Sequence, residues 1–515
     1  MTAPAAIADV LAGRARWAVE CGDALAVLPT LPDACVEAVV TDPPAGISFM
    51  DREWDRDRGG RDAWIAWLAS VMRECLRVLK PGGHALVWAL PRTSHWTATA
   101  CEDAGFEIRD RIAHLFGSGF PKSLSVGKAI DKAAGAEREV VGPHPSPASA
   151  TAVRRAMGAG WQEAPMLTAP ATDDAKKWAG FGTALKPAVE DWWLCRKPLG
   201  DTVAGCVLAH GTGGLNIDGC RFRKEPDDVS GWSKSGSHAS ENRAMSGGNS
   251  ERAPKPDAPG RWPANLVLSH APGCVRVGTR KVKSGATGTG GGFRTDLVGG
   301  ETKDTEESRT AWGTYNGPDG TETVEAWDCA PGCPVAELDR QSGELVANPH
   351  PRHNAAHPAT VAKGAGYEHI GHGHADTGGA SRFFYCAKPS RAEREDGCAA
   401  LPARTGADAC DREEGSAGLD SPRAGAGRTA AGVRNFHPTV KSDDLMRWLV
   451  RLVTPPDGII LDPFAGSGST GRAALLEGFR FLGIDRDPEY VAIANARIAA
   501  AAATGHQASL FGDSP

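Results

Sequence analysis

At 515 residues the chain can hold one large core plus an inserted unit, because single cores rarely grow past about 250–300 residues before splitting. Its formal net charge of −6 excludes a protein coated in cation, so any nucleic-acid surface must be a local basic face. The 13 Cys are spread along the length, which excludes a short secreted disulfide framework and favours metal for those that cluster. No apolar run of about 18 or more residues exists, and nothing at the N-terminus resembles a signal peptide. The expectation is a soluble, cytoplasmic protein with no membrane contact.

From Arg14 to about Pro198 strands and helices alternate. Val36–Val40 is a short apolar run that ends in Thr41-Asp42-Pro43-Pro44. Ile65, Leu68, Met72, Cys75, Leu76 and Leu79 then recur at helical spacing, and Lys80-Pro81-Gly82-Gly83 reads as the terminator before a strand over Ala85–Leu90. A second block repeats the rhythm: helix Asp443–Val453, strand Ile459–Leu461, helix Ser469–Gly478, strand Phe481–Ile484, helix Pro488–Ala501. Such βαβ alternation implies a parallel sheet, to which both blocks contribute. The stretch from about 200 to 379 is rich in Gly, Ser, Pro, Thr and His with few apolar periods, although Trp262–Leu268 has strand-like alternation. The expected organisation is therefore a catalytic half at 1–199, an inserted domain at 200–379, and a return with a mobile loop at 380–432. A ligand-binding half at 433–502 and a tail at 503–515 complete it. Segments 134–180, 234–258 and 403–432 read as mobile loops.

Ile459-Ile460-Leu461-Asp462-Pro463-Phe464-Ala465-Gly466-Ser467-Gly468 runs from a buried strand through a glycine turn into a helix. Small residues there let backbone amides and the helix N-terminus approach a ligand closely. About twenty residues later the next strand ends in Asp485, whose carboxylate can accept both hydroxyls of a ribose. This spacing suits a dinucleotide as well as S-adenosylmethionine, so the rest of the sequence must decide.

The deciding segment is Thr41-Asp42-Pro43-Pro44-Ala45-Gly46, a loop that follows a strand and precedes the glycine turn in the chain. Together they resemble the β-class amino-methyltransferases of DNA, of the phage and actinobacterial type. Gly22-Asp23-Ala24-Leu25 is similar to the stretch that contacts the cofactor adenine in that family. His437-Pro438-Thr439-Val440-Lys441 is similar to its segment flanking the methionine moiety, and Phe464–Gly468 to its main cofactor loop. The resemblance implies a Rossmann-like S-adenosylmethionine methyltransferase sheet, mostly parallel with one antiparallel strand, carrying a large loop-rich target-recognition insert. It implies S-adenosylmethionine bound by Asp23, Ala24, His437, Thr439, Lys441, Asp462, Phe464, Ala465, Gly466, Ser467, Gly468 and Asp485. It further implies catalysis by Asp42, Pro43, Pro44 and Ala45 on a base flipped out of double-stranded DNA. An amino group conjugated to a base ring is a poor nucleophile. The Asp42 carboxylate and the Pro43 carbonyl can accept its hydrogens and draw its lone pair toward the methyl donor. Asp as the acid favours adenine N6 in this family, with cytosine N4 as the alternative.

The chain departs from the family at Ala45, where an aromatic residue usually stacks on the base. Such stacking is worth about 1–3 kcal/mol, so a relocated ring is expected at Phe49 or Trp54. An inactivating change and a shifted target are the competing explanations. Within the insert, His270-Ala-Pro-Gly-Cys274 and Cys329-Ala-Pro-Gly-Cys333 form two similar knuckles suited to a structural zinc ion. The alternative is two similar turns with buried thiols. Arg276, Arg280, Lys281 and Lys283 occur with no acid between them and are candidates for the DNA backbone. An RNA or protein-amide methyltransferase and a catalytically silent DNA-binding homologue are the rival functions. A homodimer and a restriction endonuclease partner are both left open.

Overall fold

The computed structural model describes residues 3–48, 53–117, 123–143, 166–221, 262–271, 273–283, 321–343, 345–346, 352–353, 370–371, 377–378, 380–387, 392–404 and 432–505. The expected mobile segment 234–258 and most of 403–432 lie outside them. Contacts divide the chain into one unit of residues 1–117, 190–393 and 440–515, and a second of residues 118–189 and 394–439.

In the first unit the longer strands are β1 (Trp17–Cys21), β2 (Val36–Thr41), β3 (Leu79–Ala89), β4 (Glu107–Leu115) and β5 (Val189–Arg196). They continue with β6 (Leu266–Ser269), β7 (Val275–Lys283), β8 (Thr321–Asp328), β9 (Tyr385–Ala387), β10 (Ile459–Asp462) and β11 (Arg480–Asp485). Nine of them form one sheet in the order β1-β11-β10-β2-β3-β5-β4-β6-β9. β1 with β11, β11 with β10, β10 with β2 and β2 with β3 all run parallel, whereas β5 runs antiparallel to β3. The expected Rossmann-like α/β sheet is therefore present, assembled from both blocks. Two strands from the Gly- and Ser-rich stretch and its return, β6 and β9, extend it beside β4. β7 and β8 form a separate antiparallel hairpin.

The central strands are apolar along most of their length, with charged residues confined to Glu37 and to the strand ends, because both faces of the sheet are covered. Alternation sends Val39, Leu461, Leu482 and Ile484 to one core, and Ala38, Val40, Ile460 and Phe481 to the other. The first core is closed by α1 (Arg61–Val78), whose Trp64, Ile65, Leu68, Met72 and Cys75 form one buried stripe. The second is closed by α2 (Asp443–Val453), α3 (Ser469–Leu476) and α4 (Pro488–Gly505). α2 starts where Ser442 accepts a hydrogen bond from Leu445 N–H, with Asp443 and Asp444 favouring its N-terminal dipole.

Lys80-Pro81-Gly82-Gly83 does end α1, but β3 begins at Leu79 rather than after Gly83. The register with β2 jumps from Val36↔Leu79 to Ala38↔His84, so the segment bulges out of the ladder. It is held there because Pro81 O accepts from Thr212 Oγ1 at 2.5 Å and from Cys206 Sγ at 3.1 Å. These partners lie far along the chain and leave no local signal. The second unit contains a short antiparallel pair, Val140–Pro143 with Met166–Thr168, and the helix Val126–Ala133. Asp131 and Arg138 pair beside it, with Asp131 also accepting from the backbone of Ala171 and Thr172.

At the N-terminus of α3, Gly468 has φ 75, and a Cβ there would stand 2.9 Å from the Ala494 Cα of α4. Both the conformation and the close backbone approach demand glycine. Gly468→Ala is expected to cost about 1–3 kcal/mol in urea unfolding. A variant as stable as the parent would contradict this packing.

Candidate active site

Thr41 and Asp462 end two adjacent parallel strands, and Thr41 Oγ1 donates to Asp462 Oδ1 at 2.7 Å in the buried interior. With Val39 opposite Leu461, the loop Asp42-Pro43-Pro44 and the turn Phe464–Gly468 leave the same end of the sheet side by side. The two segments stand more than four hundred residues apart in sequence, and the hydrogen bond between their strand ends spans 421 positions. Burial pushes the Asp462 carboxyl up to about 7 against the hydrogen bonds that it accepts from Thr41 and Thr470 and from Phe464 N–H.

Asp42 sits in a chain of half-buried charges. Lys441 Nζ lies 2.9 Å from Asp42 Oδ2 and 4.0 Å from Glu190 Oε2. The ammonium also stands 4.1 Å from the centroid of the Trp88 ring, whose Nε1 donates to Glu190 Oε2 at 3.0 Å. Beyond it, His114 Nδ1 lies 3.7 Å from Glu190 Oε2, and His114 Nε2 is 2.8 Å from Ser269 Oγ. Burial raises the Asp42 carboxyl above the usual carboxylate range, opposed by Lys441. Burial would also raise Glu190, but Lys441, His114 and Trp88 hold it at about 2. Burial works to lower the Lys441 ammonium, and Asp42 and Glu190 outweigh it, so it is raised. One cation thus serves two carboxylates, and Glu190 is the more firmly ionised of the two.

The loop after the prolines is clamped by Asp55, which accepts from Gly46 N at 2.9 Å and Ile47 N at 3.3 Å and whose carbonyl accepts from Ser48 N at 2.7 Å. Ala45 is half-buried against the apolar cluster that holds Trp88 and Trp448. Of the two candidate rings, Trp54 is half-buried beside Asp55, and Phe49 lies outside the described residues.

The glycine turn is fixed from three sides. Ala465 N donates to Ile484 O at 2.9 Å, Gly466 N to Asp485 Oδ2 at 2.8 Å, and the fully buried Arg497 to Ser467 O at 2.7 Å. Asp485 accepts from Asp487 N through its other oxygen at 2.9 Å. Burial raises its carboxyl above the ordinary range. Across β1, Asp23 caps a short helix by accepting from Leu25 N at 2.8 Å, and Ala24 is buried behind it. Phe464 is half-buried, 5.7 Å from the Trp67 ring, over which Arg58 lies at 3.8 Å. Lys441 belongs to this unit. His437 and Thr439 belong to the other, where His437 N donates to Asn435 Oδ1 and Thr439 N to His437 Nδ1.

Glu190, Trp88, His114 and Arg497 were not singled out by the sequence, because each acts through a partner far away in the chain; Asp55 was missed although its partners Gly46 and Ile47 are close in sequence. Arg276, Arg280 and Lys281 are exposed on β7, with Arg276 3.3 Å from Glu325 of β8; Lys283 ends that strand. His270, Cys274, Cys329 and Cys333 come together, with all ligand atoms within 4.8 Å of one another. Among the described residues no helix is long and apolar enough to cross a membrane.

A family profile described as DNA methylase, for N6- and N4-directed enzymes, matches residues 36–123 and 301–496, more than half of the 515 positions. Among curated proteins the chain is similar to the Type II methyltransferase M2.DpnII of Streptococcus pneumoniae, 45% identical over 64 residues, 12% of this chain and 24% of that protein. It is similar also to M2.LlaDCHI of Lactococcus lactis subsp. cremoris, 42% identical over 62 residues, 12% of this chain and 23% of that protein. The chain thus spans about a quarter of these relatives' length. Among solved structures it is similar to the PvuII DNA methyltransferase (cytosine-N4-specific), with 12% identity, a TM-score of 0.35, and coverage of 94% of this chain and 86% of that one.

Thr41→Val removes a buried donor from Asp462 and is expected to cost about 1–3 kcal/mol. A carboxyl raised to about 7 stabilises the fold in acid and loses that contribution as the pH rises through 7. The ionised form needs the Thr41 donor most, so the deficit should be larger at pH 8.5 than at pH 5.5 in denaturant titrations. Equal deficits would mean that Asp462 does not change its protonation state between those two pH values.

Proposed function

The chain belongs to the DNA methylase family of N6- and N4-directed enzymes, and on that premise we propose that it transfers a methyl group from S-adenosylmethionine to an exocyclic amino group of a base in double-stranded DNA, with adenine N6 as the target. The observation that carries this reading is the adjacency, at one end of the sheet, of the Asp-Pro-Pro loop and the glycine turn.

The residues present fit the cofactor. Carboxyl groups at or just past the ends of β1, β2, β10 and β11, namely Asp23, Asp42, Asp462 and Asp485, offer acceptors to a ligand with a ribose and positive charge. When bound, S-adenosylmethionine supplies an electrophilic methyl group on a sulfonium. Phe464, Ala465, Gly466, Ser467 and Gly468 would border it, Asp485 would accept from the ribose hydroxyls, and Asp23 and Ala24 would lie toward the adenine. His437 and Thr439 carry the family's methionine-side motif and are assigned to that moiety.

Lys441 occupies Asp42 Oδ2, so Oδ1 is the oxygen that meets the substrate amino group. The Pro43 carbonyl accepts the second amino hydrogen, held by a proline pair whose φ is fixed and which cannot donate. Two acceptors draw the nitrogen toward tetrahedral geometry and direct its lone pair at the methyl carbon. Transfer would form the N–C bond as the methyl–sulfur bond breaks to leave a neutral thioether, and the proton lost from nitrogen would pass to the Asp42 carboxylate and on to solvent. Because the amino group is stacked inside duplex DNA, the base must be flipped out at a cost of a few kcal/mol. Trp54 or Phe49 would supply the stacking face that Ala45 cannot. Arg276, Arg280, Lys281 and Lys283 would contact phosphates. An aspartate at position 42 supports adenine N6 over cytosine N4, and the names of the two curated relatives support a Type II modification role.

Asp42→Asn should lower methyl transfer to duplex DNA by at least about 100-fold, the scale of losing one oriented acceptor, while cofactor binding by calorimetry is kept. Mass analysis of nucleosides from DNA treated with the parent protein should reveal N6-methyladenine. N4-methylcytosine would reassign the base, and transfer only to RNA or protein would reject the DNA reading. Because burial raises Asp42 and Lys441 lowers it, the acid limb of the pH–rate profile should lie above the ordinary carboxylate range, and Lys441→Met should move it to still higher pH. A limb unmoved by that substitution would remove Asp42 from the titrating step.

A further inference from the structure

We propose that His270, Cys274, Cys329 and Cys333 form a tetrahedral zinc site that ties the β7–β8 hairpin to the edge of the main sheet, independently of whether the methylation reading holds. His270 follows the last residue of β6 and Cys274 precedes β7. Cys329 follows β8, and Cys333 caps the helix Pro334–Ser342.

The separations of His270 from Cys329 and Cys333 match those a zinc ion would impose. With Zn–S near 2.3 Å and Zn–N near 2.0–2.1 Å, a tetrahedron has N···S edges of about 3.6 Å. His270 Nδ1 lies 3.6 Å from Cys329 Sγ and 3.5 Å from Cys333 Sγ. All four ligand atoms fall within 4.8 Å of one another, and each of the three cysteines is free of a disulfide. Among the described residues, the fully buried apolar part of this patch besides Cys274 and Cys333 is Leu268 and Val335, a small core that a metal would reinforce.

The two knuckles share one turn, Cys274 N to Ala271 O and Cys333 N to Ala330 O, each at 3.1 Å. They are tied to each other where Ala330 N, in the second knuckle, donates to Cys274 Sγ of the first at 3.3 Å. His270 is 3% exposed and stacked on Trp327 at 4.1 Å, which fixes the ring with Nδ1 toward the sulfurs.

The site also reaches the charged chain around Asp42, because the residue before His270 is Ser269, hydrogen-bonded to His114. A metal at this point would set the end of β6 and hence that contact.

The full-length protein, expressed with zinc in the medium and dialysed, should carry about one zinc per chain by elemental mass spectrometry. Cobalt substitution should give the strong visible bands of a tetrahedral thiolate site. Cys329→Ser and Cys333→Ser should each reduce bound zinc at least tenfold, while Cys21→Ser, on an exposed thiol elsewhere, keeps it. Should the ligand variants fail to fold, metal content of the parent still decides. Parent protein with well under one zinc per chain, or ligand variants that retain stoichiometric zinc, would overturn the proposal.

Discussion

The parallel pairing of Val36–Thr41 with Ile459–Asp462 is the constraint on which the rest of the site depends. It closes a loop of more than four hundred residues and converts two distant sequence segments into neighbours at one end of a sheet. Loop-closure entropy grows only logarithmically with length, so an insertion of this size costs the pairing little more than a short one would. The strands supply the compensation, since every position in Ile459–Asp462 and all but one in Val36–Thr41 are buried. The Thr41–Asp462 hydrogen bond then locks the two strand ends together at the level where both loops depart.

Charge organisation around that junction follows from the same burial. An isolated carboxylate there would be protonated; Asp462 moves in that direction, to about 7, because its partners are neutral donors. Asp42 differs in having a cation within contact, and that cation is itself anchored by Glu190 and the face of Trp88. Lys441 pairs directly with Asp42 at 2.9 Å and also faces Glu190 at 4.0 Å, so its charge is divided between two carboxylates. Sharing the cation leaves Asp42 ionisable yet more basic than a surface carboxylate, which is what a strong hydrogen-bond acceptor for an amino group requires.

The alternation of strands and helices was legible in the sequence, because local signals coincide with burial. Asp443–Val453 starts and ends where its serine cap and following Thr454-Pro455 dictate, and the glycine turn sits where small residues interrupt a buried strand. The segment Lys80–Gly83 was read as a terminator only, since the side chains that hold it inside a bulged strand come from residues 206 and 212. Glu190 was invisible for a similar reason: a lone glutamate before two tryptophans carries no motif, and its role arises from the antiparallel strand that places it beside Trp88 and Lys441. The convergence of His270, Cys274, Cys329 and Cys333 was legible because two copies of one short turn recur, and a repeated turn with a His or Cys at each end is a local signal. Lys441 was found by resemblance and assigned to the cofactor, whereas the structure seats it on Asp42.

The most direct test of the account is a crystal structure of the protein with S-adenosylhomocysteine bound. The adjacency of the two loops requires the ligand's sulfur to lie between the turn at 464–468 and the Asp42 carboxylate, with the ribose on Asp485. A ligand seated elsewhere on the sheet, with its sulfur out of reach of Asp42, would contradict it.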